Sequence, residues 1–428
     1  MAMLIAKKST RQKILLAALI AASGTIPLLN NINSIALIIL VFACLIQEPW
    51  SVTKQKLSVP GLWALPVIYF LWICCSYFWD STGGFLVRDV ERYAMLFFIP
   101  VALAIVPRIS PRIIKMVLTV FIGVTITVCS ICLIKSYIEY QATQDYRVFF
   151  YHYLASQMDL NAIFLSNYCL AGIIWLLYYT FILPQSHSRP AYVKNIAGCI
   201  FLFAMILMLS SKLIIFLTFL LLLFFILIIG YKRGYFLRTV FMALVLIASV
   251  LVAVNNIEYL KWRINETSFK KYESQADDQN GLSIRRLMWS TAWNLIKEKP
   301  ILGYGVKGAR VVVVQKYREQ NFMMGYTQGY HSHNQYLQSA LIGGIPAVLL
   351  LLAMLLKMCW DGWRKQNTLL LVLLLHFMLQ SVIESTFEVQ QELVFYILFL
   401  FLFYYHPPFP VKNTEHHILR PDDHHALL

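Results

Sequence analysis

The sequence predicts an all-α polytopic membrane protein of about twelve transmembrane helices, and three observations carry that reading. Of 428 residues, 59% are hydrophobic and 13% charged, too apolar for a soluble domain of ordinary charge content. The apolar runs are ~17–25 residues long, enough for a helix to cross a hydrocarbon core roughly 30 Å thick. Lysine and arginine recur in every second connection, as expected of loops that resist translocation. The short alternating strands of an outer-membrane barrel are not seen, so the runs are read as helices.

The runs lie near 13–29, 32–47, 61–79, 92–106, 115–137, 160–183, 195–210, 212–230, 239–254, 336–356, 368–385 and 390–405. Lys7, Lys8, Arg11 and Lys13 open the first. The later basic connections carry Lys54 and Lys56; Arg108, Arg112 and Lys115; Arg189 and Lys194; Lys232, Arg233 and Arg238; and Lys357, Arg364 and Lys365. Both termini are therefore expected in the cytoplasm, and the connections 29–32, 80–91, 139–159 and 385–391 on the opposite side. The first run also resembles a signal peptide, with Ala21-Ala22-Ser23 as its small residues, but a retained first helix is the reading adopted.

A formal charge of +15 would suit nucleic acid, yet most of the basic residues serve the topology signal, so nucleic-acid binding is set aside. The eight cysteines, Cys44, Cys74, Cys75, Cys129, Cys132, Cys169, Cys199 and Cys359, lie in or beside apolar runs and read as packing residues. Cys129 and Cys132 have CxxC spacing without nearby histidine, so no metal is assigned. The tail residues His416, His417, His424 and His425 around Asp422 and Asp423 read as a solvated end.

One connection breaks the pattern. Residues 255–335 form a segment of about 80 residues, far longer than a link between helices needs, which must fold over the outer membrane surface. Ser283 to Lys299 reads as an amphipathic helix with Leu287, Trp293 and Ile296 among its apolar positions and Pro300 as its stop. Gly303-Tyr304-Gly305 with Gly308 marks a tight turn whose backbone can approach another chain or a ligand. The chain thus divides into helices over 1–254, the large loop 255–335, three further helices over 336–405 and a tail 406–428. Tyr330-His331-Ser332-His333-Asn334-Gln335-Tyr336-Leu337 stands where the loop gives way to the next span. A histidine pair at a bilayer surface suggests chemistry on a lipid-borne substrate.

Several spaced elements here resemble a known family. Arg285, Trp289, Pro300-Ile301-Leu302-Gly303-Tyr304-Gly305, then His333-Asn334-Gln335-Tyr336-Leu337 and Gly344 are similar to the signature of the O-antigen ligase and polymerase superfamily. Two positions depart from it. Ser210-Ser211-Lys212 supplies a lysine where the family usually has arginine, which keeps the charge and loses the bidentate fork suited to phosphate. Ala347 replaces the family's Gly, Thr or Tyr after the glycine motif.

The resemblance implies a GT-C-like membrane glycosyltransferase of the bacterial inner membrane, with its large loop and active site on the periplasmic side. Such an enzyme moves a preassembled glycan from undecaprenyl diphosphate to an acceptor sugar, on lipid A core for ligases and on a growing chain for polymerases. It does so with inversion and without metal or cofactor. The departing diphosphate needs preorganised cations, for which Lys212 and Arg285 are the candidates, with Arg286 one residue off the family spacing. The acceptor hydroxyl needs a base, and His333 suits it. His331 and Asn334 are neighbouring candidates for substrate contact.

Each residue also has an ordinary reading. Lys212 reads as an interfacial anchor, Arg285 as a solvated helix charge and the histidines as helix caps. Weaker candidates are Glu384 and Glu388, which would position the acceptor or pair with Arg285, and Arg88 and Arg92, which would contact phosphate. Tyr151-His152-Tyr153 and Asn161 flank the sixth run on the same side, where the aromatic rings would stack on sugars or form an aromatic belt. The rival classes are a transporter or flippase, for which His376 and Lys135 are intramembrane ionisable residues, and an assembly partner without activity. No internal repeat supports transport, and convergence of Lys212, Arg285 and His333 on one outward cavity would separate the readings. Between ligase and polymerase the sequence leans to ligase.

Overall fold

The computed structural model describes residues 2–28, 30–84, 87–182, 189–209, 211–233 and 281–408, with isolated positions between 237 and 256. The histidine-bearing end of the tail, most of the run 239–254 and the first part of the large loop lie outside the described residues. Every regular element among the described residues is helical. In chain order these are α1 (Ala2–Gly24), α2 (Asn30–Leu45), α3 (Trp50–Ser58), α4 (Ala64–Cys75), α5 (Val87–Val90), α6 (Met95–Ile105), α7 (Pro111–Thr143), α8 (Tyr151–Ser156) and α9 (Ala162–Leu177). They continue with α10 (Arg189–Met208), α11 (Lys212–Arg233), α12 (Gly281–Glu298), α13 (Val306–Glu319), α14 (Met323–Gln328), α15 (Gln335–Arg364), α16 (Thr368–Ile383) and α17 (Gln390–Tyr405).

Local chemistry sets many of the helix ends. Ser110 caps α7 by accepting from Ile113 N at 3.4 Å, with Pro111 in the first turn, and Gln144 at φ 57° closes it. Asn161 caps α9 through Ile163 N at 2.8 Å, so its side chain serves the fold. Asn367 caps α16 and also donates to the Phe403 carbonyl at 2.9 Å, tying α16 to α17.

Helices occur at all the apolar runs that lie within the described residues. Among the described residues, four are long and apolar enough to cross a membrane: α7, α9 with its continuation to Phe181, α10 and α15; α2 and α3 would add a fifth as one span bent by 99°. Helices α16 and α17 are shorter: the 16 residues of each extend about 24 Å, against a hydrocarbon core of roughly 30 Å. The structure also turns the basic connection holding Lys54 and Lys56 into α3, where Lys56 Nζ donates to the Ile105 carbonyl at 2.7 Å. This all-helical chain with several apolar spans is consistent with a membrane protein.

Helix α17 is the buried axis, apolar from Leu393 to Phe403, and packs against α6 and α16. Around it α1 pairs with α2 and α7, and α9 with α7, α10 and α11. Helix α15 packs on α4 and α16 and carries α12 and α13 at its outer end.

The attachment of that outer layer is made of main chain. Helix α15 breaks at Gly344 (φ 66°, ψ −164°), and Pro346 follows. The break frees carbonyls and an amide that the Pro300–Gly305 turn takes up: Tyr304 N donates to Leu341 O at 2.7 Å, Gly305 N to Ile342 O at 3.0 Å, and Ile345 N to Pro300 O at 2.8 Å. A Cβ at Gly303 or Gly344 would strike the facing backbone. The tight turn expected from the sequence therefore approaches the chain's own broken helix. Asp80 completes the joint by accepting from Lys307 N and Gly308 N, each at 3.0 Å, at the start of α13.

Candidate active site

The break in α15 sits two and a half turns below its N-terminus, and the residues just before that N-terminus form the site. Asn334 is the cap, accepting from Leu337 N at 2.9 Å and donating Nδ2 to Val382 O at 2.8 Å. Ser385 Oγ accepts from Asn334 N at 3.1 Å, and Ser332 Oγ donates to Asn334 O at 3.0 Å. Gln335 Oε1 accepts from Phe387 N at 2.8 Å. The 384–389 loop, which joins α16 to α17, is thereby fastened to the start of α15.

These bonds hold His333 at φ 46°, a left-handed conformation that a non-glycine residue adopts only when its surroundings impose it. Its carbonyl accepts from Trp289 Nε1 at 3.2 Å, its amide donates to His331 Nδ1 at 3.2 Å, and Tyr330 meets its ring edge-on at 5.7 Å. The imidazole is thus aimed at Glu384, with Nδ1 2.9 Å from Oε2. An ionised carboxylate only accepts, so in the neutral ring it is Nδ1 that carries the proton and Nε2 that has the lone pair.

Arg285, on α12, takes the other carboxylate oxygen: Nη2 lies 2.7 Å from Glu384 Oε1, and Nε donates to Ile383 O at 3.2 Å. Burial opposes ionisation of Glu384, yet His333, by charge and hydrogen bond, and then Arg285 outweigh it and hold its carboxyl down at about 2. His331 moves the other way. Burial, then the charges of His333, Arg92 and Arg310, push its imidazole down to about 3, so it stays a neutral acceptor for the His333 amide.

A second ion pair adjoins the first. Arg92 Nη2 lies 2.8 Å from Glu388 Oε2, and the Tyr93 hydroxyl donates to Glu388 Oε1. The Arg92 Nε is buried without a partner. Arg310 lies against Gly329. Two guanidiniums thus pair with two carboxylates of one loop, with the two histidines beside them and Arg310 near enough for its charge to act on His331.

Of the residues singled out by sequence, the structure brings together His333, Arg285, Glu384, His331 and Asn334, with Arg92 at their edge. Arg286 is exposed on α12 and Arg88 is exposed on α5. Lys212 opens α11, which packs on α9 and touches α16, the helix whose C-terminal end delivers Glu384. Sequence reasoning missed Arg310 and Tyr93, and no motif spacing marks either. It also left Glu384 and Glu388 with two readings each; in the structure both are ion-paired.

Residues 197–352 match the family model described as O-antigen ligase, which bears out the resemblance read from the motifs. The match runs from within α10 to Leu352, past the break in α15. It holds Lys212, Arg285, Arg286, His331, His333 and Asn334, and leaves out Arg88, Arg92, Glu384 and Glu388. No curated protein matches the chain.

Proposed function

From a stretch that matches the O-antigen ligase family, we propose that this chain is an inner-membrane glycosyltransferase that moves an O-antigen glycan from undecaprenyl diphosphate to a sugar of lipid A core. The observation that supports this best is the Arg285–Glu384–His333 chain of contacts at 2.7 and 2.9 Å. Glu384 fixes the tautomer of His333, whose Nε2 takes the proton of the acceptor hydroxyl as that oxygen attacks the anomeric carbon. Attack opposite the diphosphate inverts that centre. The leaving diphosphate takes the bonding electrons, and its charge is met by Lys212 and by the guanidiniums at the site. Arg285 gives part of its charge to Glu384, so it both orients the carboxylate and adds to the positive field. Arg286, Arg88 and Arg92 are placed in the reading as outer contacts for phosphate, and Asn334 and His331 as the groups that hold His333 in place. No metal or cofactor enters the scheme.

The same reading adopts the division 1–254, 255–335, 336–405 and 406–428, about twelve spans in a GT-C-like arrangement, cytoplasmic termini and a periplasmic site. Glycan analysis of a strain lacking the gene is the deciding experiment. Full-length polymer stranded on undecaprenyl diphosphate is expected. Accumulation of single repeat units would make the protein a polymerase instead, and an unchanged glycan profile with unflipped donor would return it to the transporter class.

A further inference from the structure

In the bundle interior, α9, α16 and α17 bury a second polar cluster that the proposed reaction does not use. Asn167 Nδ2 lies 3.2 and 3.1 Å from the two carboxyl oxygens of Glu392, and Asn167 Oδ1 lies 3.0 Å from His376 Nε2. The Tyr396 hydroxyl stands 3.4 Å from the same nitrogen. All four residues are buried, Glu392 with 1% of its surface exposed. Within the cluster the His376 Nδ1 is buried without a hydrogen-bond partner, and two neighbours on the same helices are likewise unpaired: Tyr168 through its hydroxyl and Gln380 through both amide atoms. His376 and Gln380 are one turn apart on α16, and Tyr168 follows Asn167 on α9.

Glu392 is the anomaly. Among the described residues no lysine or arginine pairs with it, and an ionised carboxylate withdrawn from water without a cation is strongly disfavoured. The titratable groups facing it are Tyr168 from α9, His376 from α16 and Tyr396 on α17 itself. Glu384, at the end of α16, has the same sign of charge, and α6 on the other side brings no titratable group between Met95 and Ile105. One amide donor shared between two oxygens does not replace a cation.

We propose that this cluster is an internal proton-binding site in which Glu392 is held as the neutral acid, with Asn167 coupling it to His376. A half-turn of the Asn167 amide preserves its contacts and places Oδ1 to accept the Glu392 O–H and Nδ2 to donate to His376 Nε2, with the imidazole proton on Nδ1. When the acid gives its proton to water, the amide turns back and Nδ2 donates to the carboxylate, while His376 releases its Nδ1 proton to water and takes one from water at Nε2. The cluster then holds one proton fewer and the histidine has changed tautomer. A sodium ion is disfavoured because the direct contacts between Asn167 and Glu392 leave no room for one between them. A neutral Glu392 leaves the charge of Glu384 unopposed in its pairing with Arg285 and His333. The inference about the proton does not depend on the reaction assigned to the outer site.

The test is infrared spectroscopy of the full chain in lipid nanodiscs, comparing the wild type with Glu392→Gln at pH 7 in H2O and D2O. The wild type is expected to show the carbonyl stretch of a protonated, buried carboxylic acid, shifted by deuterium, absent from the variant and indifferent to replacing choline chloride with sodium chloride. Equal spectra for the two proteins would overturn the proposal, and a band removed by sodium would assign the site to that ion. Should Glu392→Gln fail to fold, Asn167→Leu decides: loss of the amide contact must move the wild-type band to higher frequency, and an unmoved band would sink the proposal.

Discussion

At the scale of single residues, the proposed reaction separates His333, the group that would act, from Glu384 and Arg285, the groups that would aim it. His333→Ala should lower glycan transfer by about 10²–10⁴-fold, the usual contribution of a general base. Glu384→Gln should cost on the order of 10²-fold because the tautomer is no longer fixed, while donor binding survives in both. Lys212→Arg should keep activity and Lys212→Ala should lose about 10²-fold. In vitro transfer with purified donor and acceptor measures all four, and wild-type rates in Glu384→Gln would remove the orienting role. The same residues predict an acid limb in stability. Glu384 titrates at about 2 in the fold against 4.5 in an unperturbed chain, so its contribution is complete above 4.5 and is lost as pH falls towards 2. His331, depressed to about 3 from 6.5, takes its proton first in the unfolded chain, so it too destabilises the fold as pH drops from 6.5 towards 3. Thermal unfolding at pH 7 and pH 4 should therefore show a smaller drop for Glu384→Gln and for His331→Gln than for the wild type. His333 and Arg285 were legible because their spacing is fixed within one stretch of chain. Pairing of Glu384 with Arg285 was one of two readings, and the structure shows it; Arg310 and Tyr93 were not legible, because each meets its partners only after distant segments fold together.

At the scale of elements, the joint between the Pro300–Gly305 turn and the broken helix α15 carries the outer layer. Gly344 adopts a backbone region essentially closed to other residues, and a side chain there would also strike the Ile301 carbonyl. Gly344→Ala is therefore expected to destabilise by about 1–3 kcal/mol or more, lowering the unfolding temperature in detergent and detaching α12 from α15. Ala347, in the same helix, faces no such restriction, and Ala347→Gly should cost about 1 kcal/mol at most. Equal losses for the two variants would show that the break is incidental. The sequence displayed the helices themselves well, since hydropathy follows burial and lipid exposure, and the amphipathic helix expected at 283–299 is α12. It displayed helix ends less well. The turns at Ser76–Phe78 and Tyr178–Ile182 and the helix over Lys54 and Lys56 depend on contacts that hydropathy does not encode.

At the scale of the whole molecule, the alternation of basic connections sets an orientation that can be measured directly. In a background with the native cysteines replaced, Glu319→Cys on α13 should react with a membrane-impermeant thiol reagent from the periplasmic side. Gln55→Cys on α3 should react only after the membrane is opened; both positions are exposed. The reverse pattern would place the site on the wrong side for a periplasmic transfer. The location of Glu384 has one more consequence, in time rather than space. The motif residues from Lys212 to Asn334 leave the ribosome well before Glu384, and α17, the buried axis, is made later still. A chain halted before the α16–α17 hairpin carries the motif residues, yet lacks the carboxylate that aims the histidine and the helix around which the others pack. Activity should thus appear only once that hairpin has been inserted, so that partly synthesised copies do not turn over the lipid-linked donor.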